Sequence, residues 1–224
     1  MLEARDLWFR YRRGARWVLA GLDLRVAPGE VVGLRGPSGQ GKTTVARLLA
    51  GYLQPARGHV LIDGAPPPAA TSRRPQPVQL VSQHPELAVD PRWRLAEILA
   101  EVGDPDPSLL ASLSIAPGWR DRFPNELSGG ELQRITVARA LLSAAPYVVA
   151  DEVSAMLDPI TQAQIWHVLL DRVRRHRLGL LAICHDDSLL HAVADRVVDL
   201  PHLVTRPDNQ LRPPAPLSGT RVTT

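Results

Sequence analysis

Short apolar segments alternate along the chain with longer segments in which apolar residues are spaced for one face of a helix. The short segments are typical of buried strands, and the longer ones are typical of amphipathic helices. The pattern predicts strands at 2–11, 16–26, 31–34, 59–62, 78–81, 147–151, 178–184 and 196–200. It predicts helices at 44–50, 95–102, 108–113, 131–143, 159–175 and 187–194. Strands that alternate with helices indicate an α/β fold with a mostly parallel sheet.

Two regions depart from this alternation. The first two strands are joined by a short turn at 12–15, which predicts an antiparallel β subdomain at the N-terminus. Residues from about 88 to 135 hold only short helical patterns, broken by Gly103-Asp104-Pro105-Asp106-Pro107, and predict a small inserted helical lobe. We therefore expect one domain over 1–205, with its core at 1–87 and 136–205. The proline-rich residues 206–224 predict a poorly ordered tail.

Composition narrows the class of protein. The chain has 224 residues and a formal charge of +3, with a single cysteine, Cys184, and a single lysine, Lys42. One cysteine excludes an internal disulfide and a cysteine-based metal cluster. No apolar segment approaches the roughly 20 residues that cross a bilayer, and the first residues lack the apolar core of a secretory signal. We therefore expect a cytoplasmic protein, and the mild positive charge does not indicate nucleic-acid binding.

The strongest motif follows the predicted strand at 31–34. It has the form G-x-x-x-x-G-K-[ST], in which glycines turn backbone N–H groups inward around a phosphate. Lys42 would place a cation at the outer phosphates, and the hydroxyl of Thr43 is suited to Mg²⁺. A helix follows, so its N-terminal N–H groups would also face the anion. The residues expected to contact ATP are Gly36, Pro37, Ser38, Gly39, Gln40, Gly41, Lys42, Thr43 and Thr44.

Acidic and polar residues follow other predicted strands. Asp151 and Glu152 end an apolar strand, where Asp151 could bind Mg²⁺ and Glu152 could orient an attacking water. Acidic pairs after strands also occur without function, and the phosphate loop is what favours a catalytic role here. Gln83 and His185 likewise follow strands. Because the carboxyl ends of parallel strands lie at one edge of a sheet, we expect these residues to converge near the loop.

A second glycine motif begins the helix predicted near 131. In Leu127-Ser128-Gly129-Gly130-Glu131, the serine and the glutamate have the spacing of a capping box, which is an ordinary helix start. The cap does not explain the paired glycines, each of which destabilises a helix interior by up to ~1 kcal/mol. They indicate that another group approaches this backbone closely.

These motifs together resemble the nucleotide-binding subunit of an ABC (ATP-binding cassette) transporter over residues 2 to about 200. After the phosphate loop, that family has a glutamine loop, a Leu-Ser-Gly-Gly signature, a strand ending in carboxylates, a D-loop and a switch histidine. The corresponding segments here, in the same order, are Gln83, Leu127–Glu131, Tyr147–Glu152, Ser154–Asp158 and His185. The resemblance implies a P-loop NTPase (RecA-like) core and a Mg²⁺-dependent ATPase.

The resemblance also implies roles for single residues. Gln83 would contact Mg²⁺ or the attacking water and connect the site to the helical lobe, and His185 would contact the γ-phosphate. Tyr11 falls where the family places an aromatic ring that stacks on adenine, although Trp8 or Trp17 could serve instead. Lys42, Gln83, Glu152 and His185 are therefore the expected catalytic residues, and Thr43, Gln83 and Asp151 are the expected Mg²⁺ ligands.

By the same resemblance, two subunits close head to tail. ATP on one phosphate loop would then be capped by Ser128, Gly129, Gly130 and Glu131 of the other subunit, which could be a copy of this chain or a relative. The expected further partners are transmembrane permease subunits and an extracytoplasmic solute-binding protein, with the ATPase peripheral on the inner face of the membrane.

Residues 82–92 and 157–165 resemble the peptide and nickel importers within the family, which implies import of a peptide, nickel or a related small solute. His84, Ala88 and Asp90 differ from that pattern. The alternative is a soluble ABC-type ATPase in a non-transport complex, acting on nucleic acid or the ribosome or serving as an accessory enzyme subunit. The coiled-coil insertions, zinc modules or paired cassettes usual in the nucleic-acid class are absent from this sequence.

Overall fold

The computed structural model describes residues 1–68, 75–155 and 157–203, and contains two sheets with helices around them. The strands are β1 Leu2–Phe9, β2 Leu19–Val26, β3 Val31–Arg35, β4 Arg57–Ile62, β5 Val78–Val81, β6 Tyr147–Asp151, β7 Gly179–Ile183 and β8 Arg196–Asp199. The α-helices are α1 Lys42–Leu49, α2 Leu95–Ala100, α3 Pro107–Ser112, α4 Gly129–Leu142, α5 Pro159–His176, α6 Asp187–Val193 and α7 Leu200–Leu203.

The larger sheet is parallel and has the strand order β5-β6-β7-β3-β8. Every residue of β6 and of β7 is buried, because helices or the second sheet cover both faces. This explains why these strands are nearly continuous apolar runs in the sequence. The parallel core and its crossover helices confirm the predicted fold class.

The smaller sheet is antiparallel, with the order β2-β1-β4. β4 begins at Arg57, two residues earlier than its apolar pattern predicts, because Arg57 pairs with Trp8 of β1. One apolar cluster joins this sheet to α1 and to one face of the parallel sheet. The antiparallel β subdomain predicted at the N-terminus is therefore present, and it includes a strand that follows the phosphate loop.

A second apolar cluster fills the other face of the parallel sheet. It contains residues of α4 and α5 and continues into the short helices α2 and α3 through Leu95, Ile98, Leu99 and Leu109. Short 3₁₀ helices at Pro85–Leu87, Pro117–Trp119 and Pro124–Glu126 connect this region, and each begins with proline. The sequence pattern did not predict these turns, which are too short to show a helical period.

The ends of several elements differ from the predictions. α1 begins at Lys42 rather than 44 and α4 at Gly129 rather than 131, so both glycine motifs lead directly into a helix. β2 begins at Leu19 rather than 16, and α7 was not predicted. The expected tail at 206–224 lies outside the described residues, as does Met156 of the D-loop. No helix in the described part of the chain has the length and apolar character needed to cross a bilayer.

Candidate active site

The phosphate loop connects β3 to α1, and its backbone conformation depends on glycine. Gly39 and Gly41 have φ angles of 78° and 99°, in the left-handed region that side chains disfavour. A Cβ on Gly41 would also lie 2.9 Å from Cγ1 of Val18. Gly41 is the N-cap of α1, so this conformation brings the loop onto the helix axis with the first N–H groups of the helix free.

Lys42 spans the loop that precedes it. Its side chain is buried, and Nζ donates hydrogen bonds to the carbonyl oxygens of Gly36, at 2.7 Å, and of Pro37, at 3.2 Å. These two acceptors hold the ammonium group inside the loop. The structure therefore places the only lysine of the chain where an anion bound by the loop N–H groups would find a positive charge.

Asp151 and Thr43 form the next part of the site. The carboxylate of Asp151 ends β6 and is 5% exposed, and the Thr43 side chain hydrogen-bonds to it. Burial raises the pKa of Asp151, and the neighbouring charge of Glu152 acts in the same direction. The Thr43 hydrogen bond and the charge of Lys42 partly oppose this shift. A buried carboxylate beside a hydroxyl is a pair of hard oxygen donors, so these residues fit Mg²⁺.

Gln83 lies in the same place, as predicted from the strand ends. One cavity is lined by Thr43, Asp151 and Gln83, together with residues of the α1 and β5 ends. The backbone before Gln83 is held to the signature helix, because Nε2 of the buried Gln133 donates to the carbonyl oxygen of Ser82 at 3.2 Å. The predicted Mg²⁺ ligands thus share one cavity at the carboxyl edge of the parallel sheet.

Glu152 and His185 approach this edge from neighbouring strands. Glu152 has a φ of 52°, and its N–H donates to the carbonyl oxygen of Ile183 at 2.9 Å. Oε2 of Glu152 lies 3.7 Å from Nδ1 of His185, whose side chain is 62% exposed. A non-glycine residue in the left-handed region is uncommon, and such residues concentrate at functional sites. Here the carboxylate of the residue in that conformation lies beside His185.

Tyr11 is the aromatic residue beside the phosphate loop. Its hydroxyl lies 3.0 Å from Oγ1 of Thr44, and its exposed ring packs edge-on against Phe9. The two alternatives are engaged elsewhere. Trp8 is buried, with Nε1 donating to Asp6 at 2.8 Å, and Trp17 packs against Trp8. The geometry favours Tyr11 over both tryptophans as the residue that contacts the base.

The start of α4 is a complete capping box. Oγ of Ser128 accepts from the N–H of Glu131, and the Glu131 carboxylate accepts from the N–H of Ser128 at 2.8 Å. The hydrogen bonds that the Glu131 carboxylate accepts from the N–H and the hydroxyl of Ser128 lower the pKa of Glu131. The cap therefore explains Ser128 and Glu131, as the sequence indicated. Among the described residues, no hydrogen bond joins residues 128–131 to the phosphate loop of the same chain.

The two glycines of this motif have different surroundings. A Cβ on Gly130 would lie 3.3 Å from Cδ2 of Leu157, so packing within the chain limits the size of this residue. A Cβ on Gly129 would meet no atom within 4 Å. The packing of the chain itself therefore accounts for a small residue at 130 but not at 129.

Comparison with known proteins places this architecture in a family. The model of the ABC transporter family matches residues 19–155, which is more than half of the chain. The chain belongs to the ABC transporter family. It is an ATP-binding subunit of that family and an ATPase, as its motifs indicated.

Curated relatives are similar over most of this cassette. A putative peptide import ATP-binding protein of Brucella ovis is 34% identical over 89% of this chain and 69% of the relative. The nickel import ATP-binding protein NikE of Pseudomonas putida is 35% identical over 88% of this chain and 81% of the relative. The oligopeptide transport ATP-binding protein OppF of Escherichia coli is 30% identical over 88% of this chain and 68% of the relative.

Solved structures have the same fold. An ATP-binding subunit of an ABC transporter aligns with a TM-score of 0.76 and 23% identity, over 89% of this chain and 85% of that one. The dimeric bacterial ABC transporter cassette MJ0796 aligns with a TM-score of 0.74 and 21% identity, over 89% of this chain and 94% of that one.

Three residues of this cassette belong to the site region but were not identified from the sequence. Gln133 holds the glutamine loop, and Nε1 of the buried Trp166 donates to Oγ of Ser154 at the start of the D-loop, at 3.0 Å. Arg47 lines the cavity with Thr43 and Asp151. The helical spacing of Gln133 and Trp166 predicts only that they face the core. Their hydrogen-bond partners could be identified only from the tertiary structure.

Proposed function

We propose that this cassette hydrolyses Mg²⁺-bound ATP to energise a membrane importer of peptide, nickel or a related small solute. The observation that carries the proposal is the convergence of Lys42, Asp151, Gln83, Glu152 and His185 at one edge of the parallel sheet. The solute class rests on the names of the curated relatives, which are peptide and nickel import proteins.

The oxygen donors of the cavity define the metal site in this proposal. Thr43, Asp151 and Gln83 would hold Mg²⁺, directly or through water. When bound, the ion would supply positive charge that neutralises the negative charge developing on the phosphates during transfer. The raised pKa of Asp151 supports this assignment. Burial destabilises the ionised carboxylate, and a bound cation would stabilise it.

Four further residues would act on the attacking water, the phosphates and the base of ATP. Glu152 accepts a hydrogen bond from the attacking water and orients it toward the γ-phosphate. Lys42 and the loop N–H groups stabilise the negative charge of the outer phosphates. His185 contacts the γ-phosphate and keeps that group in line with Glu152. Tyr11 stacks on the adenine ring.

A second cassette completes the site. We infer that Ser128, Gly129, Gly130 and Glu131 of one subunit cap ATP on the phosphate loop of the other. The open space at Gly129 supports this, since nothing in the chain itself accounts for glycine there. The free N–H groups at the start of α4 would face the anion from the side opposite α1. The second subunit is a copy of this chain or a related cassette.

The surface proposed for the membrane partner is formed by two exposed apolar residues near Gln83, Tyr52 and Leu87. Both border the cavity that contains Thr43 and Asp151, and they are 70% and 79% exposed. Large apolar side chains exposed together at a cleft are typical of protein interfaces. We propose that permease subunits dock there and hold the cassette at the inner face of the membrane. An extracytoplasmic binding protein would deliver the solute to the permease.

Purification from its own cells in detergent tests the transport assignment. A tagged chain should retain membrane-spanning chains, and a Leu87→Asp variant should lose them while still folding, as judged by its thermal unfolding. Ile160→Asp is the matched control, because Ile160 is an exposed apolar residue that does not line this cavity. The Ile160→Asp variant should retain the membrane-spanning chains. Recovery of soluble enzyme chains or ribosomes in place of permeases would contradict the proposal.

A further inference from the structure

Arg35 is a charged residue at the end of a buried strand. It is the last residue of β3 and directly precedes the phosphate loop. Nε donates to Oδ1 of Asp199 at 2.5 Å and NH2 donates to Oδ2 at 3.2 Å, which is a bidentate arrangement. NH1 lies 3.5 Å from Oδ2 of Asp187. The guanidinium therefore contacts two carboxylates from two different elements.

These carboxylates lie on elements that flank the loop. Asp199 is the last residue of β8 and pairs with Arg35 in the parallel register. Asp187 is the first residue of α6, two positions after His185. Arg35 thus connects the strand that leads into the phosphate loop with the helix that follows the switch histidine.

The position of His185 depends on the start of α6. Only Cys184, His185 and Asp186 separate β7 from α6. Asp186 caps the helix by accepting hydrogen bonds from the N–H groups of Ser188 and Leu189. The position of this short connection therefore depends on the position of the first turn of α6. The side chain of His185 is mostly exposed and has an ion-pair contact only to Glu152 among the described residues. Its own packing therefore constrains it weakly.

We propose that Arg35 is a positioning residue for hydrolysis: by bridging Asp199 and Asp187, it holds the first turn of α6 and so places His185 at the phosphate loop. This inference rests on the proposed role of His185. Because Asp187 does not line the cavity that contains Thr43, Asp151 and Gln83, loss of the bridge should affect alignment of the reacting groups more than binding of ATP. Misalignment of the reacting groups lowers kcat, so the effect should appear in kcat and not in KM.

Asp187→Asn is the most specific probe of the bridge. Asp187 is 63% exposed, so the variant removes one charge without opening the core. The expected result is a fall in kcat of about fivefold, with KM for ATP unchanged within a factor of two. Asp171→Asn is the matched control, because it removes an exposed carboxylate paired with Arg175 at 2.7 Å on α5. The control should keep the wild-type kcat.

Double-variant cycles separate positioning from a general effect on the helix. In an Arg35→Met background, Asp187→Asn should change kcat little. The single variant Arg35→Lys keeps the positive charge, so its kcat should lie between those of Arg35→Met and the wild type. In a His185→Ala background, Asp187→Asn should also have little effect. Single-turnover hydrolysis with excess protein measures these slow variants.

The outcomes distinguish this inference from the proposed function. If His185→Ala keeps the wild-type rate, the role of His185 is wrong and the positioning role of Arg35 is wrong with it. If His185→Ala is impaired but Asp187→Asn keeps the wild-type kcat, only the positioning role is overturned. The same holds if Asp187→Asn lowers kcat equally with and without His185.

Discussion

Nδ1 of His185 lies 3.7 Å from Oε2 of Glu152, although the two residues follow different strands. Their strands, β6 and β7, are neighbours in the parallel sheet, and the N–H of Glu152 bonds to the carbonyl oxygen of Ile183 at the end of β7. Glu152 has a left-handed backbone conformation, and its carboxylate lies beside the histidine. The residue expected to act as base and the residue expected to contact the γ-phosphate therefore lie side by side at the carboxyl edge of the sheet.

Glu152→Gln should stop hydrolysis without loss of ATP binding. Glutamine keeps the size of the side chain and can still contact His185, but it cannot accept the proton of an attacking water. We expect kcat to fall at least about 100-fold, since general-base catalysis contributes typically 10²–10⁴-fold. The Kd for ATP should stay within a factor of about three. A normal turnover rate in this variant would place the base elsewhere.

Lys42→Ala should weaken ATP binding. Charge-assisted hydrogen bonds contribute roughly 1.5–3 kcal/mol, so we expect the Kd to rise about 10- to 100-fold by isothermal titration. The variant also frees the carbonyl oxygens of Gly36 and Pro37, which can turn to water. Arg175→Ala is the control, because it removes an exposed cation far from the phosphate loop in sequence. Equal affinities for the two variants would rule out the assignment of the loop.

Asp151→Asn should stabilise the chain in the absence of Mg²⁺. The carboxylate is buried, and burial raises its pKa, so its ionised form destabilises the folded state. We expect the free energy of unfolding to increase by about 1 kcal/mol, measured by denaturant titration at neutral pH. The gain in stability that Mg²⁺ and ATP give the wild type should be reduced in the variant. A variant less stable than the wild type would show that Asp151 is stabilising as an ion.

The same pKa shift predicts how pH acts on the wild type. Because the folded-state pKa of Asp151 is raised, its contribution favours folding below the ordinary aspartate pKa. That contribution is lost as the pH rises through the raised value. Binding of Mg²⁺ requires the ionised carboxylate, so affinity for Mg²⁺ should fall as the pH drops through the raised pKa. Asp151→Asn should remove this pH dependence, and a profile unchanged by the substitution would assign it to another group.

Gly129 and Gly130 should respond differently to alanine. At Gly129 the added methyl group meets open space, so stability should stay within about 0.5 kcal/mol or rise, while ATP-dependent dimer formation weakens. At Gly130 the methyl group meets Leu157, so the variant should be about 1 kcal/mol less stable than Gly129→Ala. Leu157→Ala in the Gly130→Ala background should relieve part of this contact. Unimpaired dimers of Gly129→Ala would contradict a trans role for this glycine.

The sequence predicted the strands of the parallel sheet and the convergence at its edge well. β6 has the predicted bounds, because a strand covered on both faces is an uninterrupted apolar run between polar residues. The phosphate loop, Gln83 and His185 follow strands of this parallel sheet and Asp151 ends one, and parallel order alone brings strand ends together. The fold class and the cavity that joins the predicted Mg²⁺ ligands therefore follow from local patterns.

Contacts between distant segments could not be predicted in this way. The Arg35–Asp199 pair joins residues 164 positions apart, and Gln133 reaches Ser82 over 51 positions. Local patterns carry no information on which strand lies next to another, so β4 could not be assigned to β1. The distinction between Gly129 and Gly130 likewise depends on Leu157, which only the tertiary structure brings to the start of α4.

In the proposed dimer, ATP is held between the phosphate loop of one cassette and the start of α4 in another. Mixing two inactive variants in a Glu152→Gln background is a stringent test of this arrangement. One subunit carries Lys42→Ala and the other carries Ser128→Arg, so a mixed dimer has one site with both defects and one intact site. Either variant alone has no intact site.

Size-exclusion chromatography with radiolabelled ATP measures both association and stoichiometry. We expect that neither variant dimerises alone, and that the mixture forms an ATP-dependent dimer holding one nucleotide per two chains. We also expect Ser128→Arg alone to bind ATP as a monomer. ATP-dependent dimers of Ser128→Arg by itself, or a mixture that associates no more than its components, would contradict a site shared between two copies of this chain.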